Sequence, residues 1–413
     1  MAITKASVGK RILMLLENNR YPGDTRVRRE AISLVEFGYS VSVIAPRGRS
    51  EPWSEIDQGV HVFRYPRPRE GEGALGYFWE YGVSMVWMTL LSVWVFFRRG
   101  FDVIHSHSPP DIFVLIGMLY SLLGKKYVFD HHDISPEMYV ARFQGKFNPR
   151  VVKMLTFFEG LSCRFATRVI TVNESYRDLV VQRHRIPADK ITVVRNGPDL
   201  EELRPVAPDP DIVSRNQIVF GYVGIMGFQD GVDSLIRAMH HLKNDLARDD
   251  FYCILIGRGS SVDYLKQLTA ELGLTDHVFF TGYVSDEDLL KYLSTADICV
   301  APDPFNPFND RSTMIKVMEY MAMGKPIVAY KLIEHQVTAQ DAALYAQVSD
   351  ELDFARQLQT LMDNPELRKR LGDSGRKRAE EILAWPFQAE NLREAYAKVF
   401  NSWGSSDQAR VKQ

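Results

Sequence analysis

Apolar residues occur along this chain as short continuous runs, alternating with stretches whose apolar positions recur at helical spacing. Residues 11–17 (R-I-L-M-L-L-E) predict a buried parallel strand, followed by a loop over 18–25 with Pro22 and Gly23. A helix over 26–37 ends at Gly38, and 41–46 predict the next strand. This strand–loop–helix–strand rhythm is that of a βαβ unit. It continues through strands over 102–107 (D-V-I-H-S-H), 126–133 (K-Y-V-F-D-H-H-D), 168–173 and 191–194. A turn at Asn196-Gly197-Pro198-Asp199 and four prolines between 198 and 210 mark a linker. The rhythm then restarts, with strands over 218–223, 252–256, 278–281 and 298–301 and helices over 232–242, 262–272 and 286–293.

The stretch 309–330 (N-D-R-S-T-M-I-K-V-M-E-Y-M-A-M-G-K-P-I-V-A-Y) stands out. Met314, Val317, Met318 and Met321 form one apolar helical stripe, with Ser312 as expected N-cap, Gly324 as C′ residue and Pro326 as stop. A short buried strand over 327–330 follows. Ser312, Lys316, Glu319 and Met323 share the face away from that stripe. A cation and a carboxylate so placed, near a helix amino end that attracts anions, suit a nucleotide diphosphate and its ribose. On these residues alone, a surface i,i+3 ion pair explains them as well.

Length and composition narrow the classes. A chain of 413 residues exceeds one core and predicts two domains, 1–200 and 201–385, with a helix over 386–403 added to the first and a disordered tail over 404–413. The fold class expected is α/β, two facing doubly wound domains with strand ends across a cleft. A formal net charge of −2 gives no support to nucleic-acid binding. Cys163, Cys253 and Cys299 lie far apart in apolar sequence, which argues against a disulfide framework or thiolate metal site and suits a reducing cytosol. With no signal-peptide core in the first ten residues, a cytoplasmic location is expected. Residues 77–97 are apolar nearly all round, with an uninterrupted part shorter than a membrane span needs. A helix packed within the first domain is the favoured expectation. Docking at a membrane interface through Trp79, Trp87, Trp94 and Arg98-Arg99 is the alternative, placing the protein at the inner face of the plasma membrane.

His105, His107, His131, His132, Asp130 and Asp133 fall at carboxyl ends of predicted strands, where open α/β sheets collect ligands. They allow a metal site, a general base or orienting histidine at His132, or plain strand capping, the expectation for His105.

The succession from R-I-L-M-L-L-E to the terminal helix resembles the retaining GT-B glycosyltransferases of family 4. The most specific piece is K-V-M-E-Y-M-A-M-G-K-P-I-V-A, similar to that family's E-A-M-A-x-G-x-P-V-V segment, whose glutamate holds the donor ribose and maps onto Glu319. F-D-H-H-D resembles the segment with the active-site histidine, mapping onto His132; V-V-R-N-G-P-D gives Asn196, Gly197 and Asp199, and I-G-R-G gives Gly257, Arg258 and Gly259. A closer likeness is to bacterial members with G-x-M-G-x-Q-D-G-V-D and N-D-x-S-T-M-x-K-V-M-E-Y-M-A-M-G.

The resemblance implies transfer of a sugar, with retention, from a UDP- or GDP-linked donor to a hydroxyl of a lipid-linked or polysaccharide acceptor in bacterial surface glycan synthesis, without metal or cofactor. Catalytic roles then fall on His132, Lys316 and Glu319. Donor contacts fall on Gly224, Gly227, Arg258, Gly259, Arg311, Ser312 and Thr313, and acceptor contacts on Gly23, Arg26, His107 and Asp133. Three positions depart from the family pattern: Arg311 replaces the first glutamate of E-x7-E, and Ile225 and Asp230 replace a basic pair that stabilises the leaving diphosphate. Lys316, Arg311 and Arg258 are the expected compensating cations. Rival readings are a metal-dependent hydrolase on the histidine cluster, a transferase-like scaffold without turnover, and a sugar-nucleotide epimerase.

Overall fold

The computed structural model describes residues 9–68, 73–143 and 147–410. It divides into two compact units, one ending at Arg195 and rejoined by the chain from Gln388, the other comprising Asn196–Phe387.

The first unit is built on an eight-stranded sheet in the order β3-β4-β2-β1-β5-β6-β7-β8. Its strands are β1 (Arg11–Leu15), β2 (Ser40–Arg47), β3 (Ser54–Asp57), β4 (Val60–Pro66), β5 (Val103–His107), β6 (Lys126–His131), β7 (Arg168–Thr171) and β8 (Ile191–Val193). All pairs are parallel except β3 with β4. Helices α1 (Thr25–Glu36), α2 (Gly73–Arg98), α3 (Val114–Ser121), α4 (Ser135–Arg142), α5 (Pro149–Phe165) and α6 (Glu174–His184) connect the strands. The fully apolar strands sit between helices on both faces, as parallel sheets require. β3 and β4 were not anticipated: Ser54–Asp57 is a short edge strand that is largely exposed and has no apolar run to announce it.

α2 packs within the first unit, as favoured for 77–97, with Met88 and Val95 in its core, but by one side alone. Among its described residues, the buried ones form a narrow stripe, Ser84, Met88, Ser92 and Val95, at spacings of one turn. Ser84 Oγ donates to Glu17 Oε1 at 2.8 Å, and Ser92 Oγ lies 3.0 Å from Tyr120 Oη. The outer face leaves Trp79, Val86, Leu90, Trp94 and Phe97 exposed, and just 22% of the apolar stretch Trp79–Arg98 is buried. The side chain of Tyr77 lies outside the described residues.

The second unit carries a six-stranded, all-parallel sheet in the order β11-β10-β9-β12-β13-β14. The strands are β9 (Ile218–Val223), β10 (Phe251–Ile256), β11 (Val278–Gly282), β12 (Ile298–Ala301), β13 (Ile327–Tyr330) and β14 (Ala343–Ala346). This is the doubly wound order 3-2-1-4-5-6, with its switch point between β9 and β12. The helices are α7 (Pro210–Val213), α8 (Val232–Asn244), α9 (Val262–Glu271), α10 (Asp286–Thr295), α11 (Ile315–Ala322), α12 (Ile333–Ala339), α13 (Glu351–Met362) and α14 (Pro365–Arg378). The final helix, α15 (Trp385–Arg410), crosses from this unit to the first. It extends past 403, so the start of the expected tail is helical, and 411–413 lie outside the described residues. All three cysteines are free and buried.

Candidate active site

In the first unit, strand register assembles a polar cluster. Alternate residues of β5 place His105 and His107 on one face, and His107 is in register with Asp130 of β6. The same face is covered by α1, whose Arg26 and Glu30 are one turn apart. Arg26 grips Asp130 with two hydrogen bonds, Nε to Oδ2 and Nη2 to Oδ1, both 2.8 Å. Its Nη1 donates to the Val194 carbonyl at 2.9 Å, and its Nη2 lies 3.1 Å from Glu30 Oε1. His107 donates from Nδ1 to Asp130 Oδ2 at 2.9 Å, and His132, just past the strand, does so at 3.2 Å. Ser108 Oγ accepts from the amides of His132 and Asp133 at 3.0 and 3.1 Å, which fixes the turn carrying both. His105 bonds Tyr396 of α15 at 3.0 Å, a structural role as expected.

Burial and charge work against each other here. Burial pushes His132 down, but Asp130 outweighs it and raises its pKa to about 9. Burial would also raise Asp130, yet Arg26 and then His132 hold it well below the usual carboxylate range. Glu30 is lifted by burial to about 8, and burial holds His105 and His107 neutral. His132 is therefore the cationic imidazole of the group. Arg26 and His107 were expected to meet an acceptor. Both are buried and spent on Asp130, so they act by holding the aspartate that charges His132. Gly23 is exposed in the loop before α1, and Asp133 is half-buried beside His132.

Glu30, His105, His107 and Asp130 also bring ligand atoms within 4.8 Å of one another. The donor set does not suit a cation: Arg26 already sits on both carboxylates, and a metal ion would have to displace it. His131 belongs to the opposite face, 3.0 Å from Glu159, with His184 2.6 Å from the same carboxylate. The histidine cluster of the rival hydrolase reading is thus split by the pleat of β6.

In the second unit, the loops after β9 and β12 flank the switch point, where doubly wound sheets bind ligands. Gly224 and Gly257 have φ of 153° and 137°. A Cβ on Gly257 would lie 1.9 Å from the Gly224 carbonyl oxygen, and one on Gly259 would lie 2.3 Å from that of Met226. These glycines press two loops together, the reason for their small size. Gly227 begins the turn that Asp230 braces by accepting from its amide at 2.9 Å. Asp230, standing where the family carries a cation, thus has a structural use, whereas Ile225 is 67% exposed. Arg258 stacks over Tyr283, 5.2 Å from the ring centre.

α11 starts at Ile315 rather than just after Ser312. Ser312 is buried and donates to the Phe308 carbonyl at 2.7 Å, and Met314 occupies the N-cap with no side-chain cap bond. The first amides of α11 therefore have no capping side chain and follow Arg311, Ser312 and Thr313 directly. At the other end Gly324 is left-handed as expected, with φ of 67°. Met323 is buried with the apolar stripe rather than on the polar face, whereas Lys316 and Glu319 are half-buried.

Lys316 is paired with a carboxylate from outside its helix. Its Nζ donates to Asp303 Oδ1 at 2.7 Å and lies 4.8 Å from the centre of the Tyr222 ring. His335 Nε2 is 3.5 Å from the other Asp303 oxygen. Burial would raise Asp303, but Lys316 and His335 lower it to about 2. Burial would lower Lys316, but Asp303 raises it above its ordinary value. Thr313 donates to Glu334 Oε2 at 3.0 Å. Asp303, Tyr222, His335 and Glu334 were missed, and the one available signal for Asp303 was its place two residues beyond β12.

Two doubly wound domains, each with polar groups gathered beyond its strand ends, define the GT-B class. A model of Glycosyltransferase Family 4 matches residues 24–202, and one of Glycosyl transferases group 1 matches 210–378. This chain belongs to the family 4 GT-B glycosyltransferases and is an enzyme of glycosyl transfer. It is 26% identical over 400 residues to the MMP alpha-(1->4)-mannosyltransferase of Mycolicibacterium hassiacum, covering 90% of this chain and 93% of that one. Its fold matches sucrose-phosphate synthase of Thermosynechococcus elongatus (TM-score 0.77, 18% identity, 95% of this chain and 100% of that one). It also matches Anabaena HepE in complex with UDP and glucose (TM-score 0.69, 16% identity, 94% and 99%).

Proposed function

We propose that the protein transfers a sugar, with retention of anomeric configuration, from a UDP- or GDP-linked donor to a hydroxyl of a lipid-linked or polysaccharide acceptor. The observation that carries this reading is the amino end of α11, with Arg311, Ser312 and Thr313 ahead of it and Glu319 one turn in. That end receives the diphosphate and Glu319 takes the ribose hydroxyls. Lys316, its charge fixed by Asp303, supplies positive potential to the departing diphosphate without a metal, together with Arg258. His132, held cationic by Asp130, donates a hydrogen bond to the donor sugar. Gly227, Gly224 and Gly259 shape the loops against which the donor lies, and Gly23 and Asp133 contact the acceptor. The UDP bound by the similar Anabaena protein supports a nucleotide-sugar donor. The exposed apolar face of α2 supports work at the inner face of the plasma membrane.

Thermal-shift measurements with UDP, GDP, ADP and their sugar conjugates test the donor half. A nucleotide at 100 times its Kd should stabilise by about 2.7 kcal/mol. No response to any of them would overturn the reading. NMR of the anomeric proton in the product tests retention.

A further inference from the structure

A cavity of about 340 Å³ in the first unit takes no part in the chemistry described above. Its walls come from α2, α4, α5 and the segment after β5, and are mostly apolar: Met138, Met154, Leu155 and Phe158 among them. Arg142, Tyr81 and Tyr139 bring polar ends to that lining, and two further polar groups, Asp111 and Ser135, are buried in it. Asp111 and Ser135 are each 4% exposed, and neither the Asp111 carboxyl oxygens nor Ser135 Oγ has a hydrogen-bond partner. Buried polar groups are nearly always satisfied, so Asp111 and Ser135 call for a hydrogen-bonding partner that the cavity admits, a water or a ligand group. Burial raises the Asp111 carboxyl to about 7, against the pull of His131 and of the neighbouring Ser135 hydroxyl.

We propose that this cavity binds the single hydrocarbon chain of a lipid acceptor, an aliphatic or isoprenoid chain whose uncharged hydrogen-bonding group is received by Asp111 and Ser135. The inference rests on the lipid-acceptor reading above and specifies it. The volume suits a small organic ligand, and methionine walls adapt to flexible chains. Glu159 and Asp133 already add negative charge at Asp111, so the group received there is uncharged, while Arg142 brings the one positive charge among the lining residues. The location agrees: Tyr81 and Gly82 line the cavity from α2, the helix whose outer face exposes Trp79, Leu90, Trp94 and Phe97. Pro109 and Pro110 line it directly after Ser108, which fixes the His132 turn.

The test is calorimetric titration of the full chain with hexyl, octyl and decyl β-glucoside, each below its micelle concentration. Affinity should rise about fourfold per added methylene. Met154→Trp, which fills the cavity, should abolish that dependence while leaving the UDP-induced thermal shift unchanged. Should Met154→Trp fail to fold, Gly82→Leu serves: a Cβ there meets nothing within 4 Å, and leucine favours the helix. No chain-length dependence in the wild type, or equal binding by a filled variant, overturns the proposal. A missing nucleotide response with alkyl binding intact counts against the donor reading alone.

Discussion

The two units treat buried charge in opposite ways. In the second, Lys316 and Asp303 form a single short pair with His335 behind it, both charges fixed by one another. In the first, Arg26, Glu30, His105, His107, Asp130 and His132 share protons and charge over two strands and a helix. A lone pair keeps its charge across the ordinary pH range. A shared network contains groups poised to titrate within it, here Glu30 at about 8 and His132 at about 9. The contrast suits a constant field for an anionic leaving group and a tunable donor for a neutral sugar.

The sharpest way to break the comparison is to unpair the buried cation. Asp303→Ala should destabilise the protein by about 3–5 kcal/mol in urea unfolding, because it strands Lys316 without a counter-charge. Asp303→Ala with Lys316→Met should recover much of that loss while nucleotide affinity stays low. If affinity returned as well, Lys316 would have no role at the diphosphate.

Next in size is pH. The folded pKa of His132 lies above its unfolded value of about 6.5, so its stabilisation is complete below that pH and is lost as pH rises toward 9. Glu30, also raised, runs in the same direction, losing its contribution from about pH 4.5 to 8. Together they predict a fall of order 5 kcal/mol in the first unit between pH 6.5 and 9. The second unit should stay level there. Asp303, being lowered, loses its contribution only as pH drops from about 3.8 toward 2. Hydrogen exchange followed unit by unit separates the two, and Asp130→Asn should flatten the His132 part.

Gly257→Ala should cost about 1–3 kcal/mol, since its φ of 137° and the carbonyl at 1.9 Å both oppose a side chain. The smallest effect is Thr313→Val, about 1 kcal/mol from the lost bond to Glu334. Thermal unfolding reads both.

Most of the fold was legible because buried parallel strands appear as uninterrupted apolar runs. Ile218–Val223, Ile298–Ala301 and Ile327–Tyr330 were located to the residue. Ser54–Asp57 escaped because an edge strand has no such run. The site was legible by segment but not by partner. Lys316 lay in the right helix, but Asp303 is 13 residues earlier on another loop, and only the crossover from β12 brings them together. Arg26 and Asp130, 104 residues apart, were each singled out, yet their mutual grip depends on strand register that no local pattern encodes. α2 packs in the unit expected, but its exposed side was not legible, because an all-round apolar helix has no polar face to show which side meets solvent.

The return of α15 has a consequence for synthesis. Phe400 stacks on Tyr39, and Tyr396 packs against Tyr39 at a tilt and reaches His105, so the first unit combines residues from before and after the second. The second unit is contained in an uninterrupted stretch ending at Phe387. A chain leaving the ribosome thus has every residue of its later domain before it has the last of its earlier one, reversing the usual order of completion during translation.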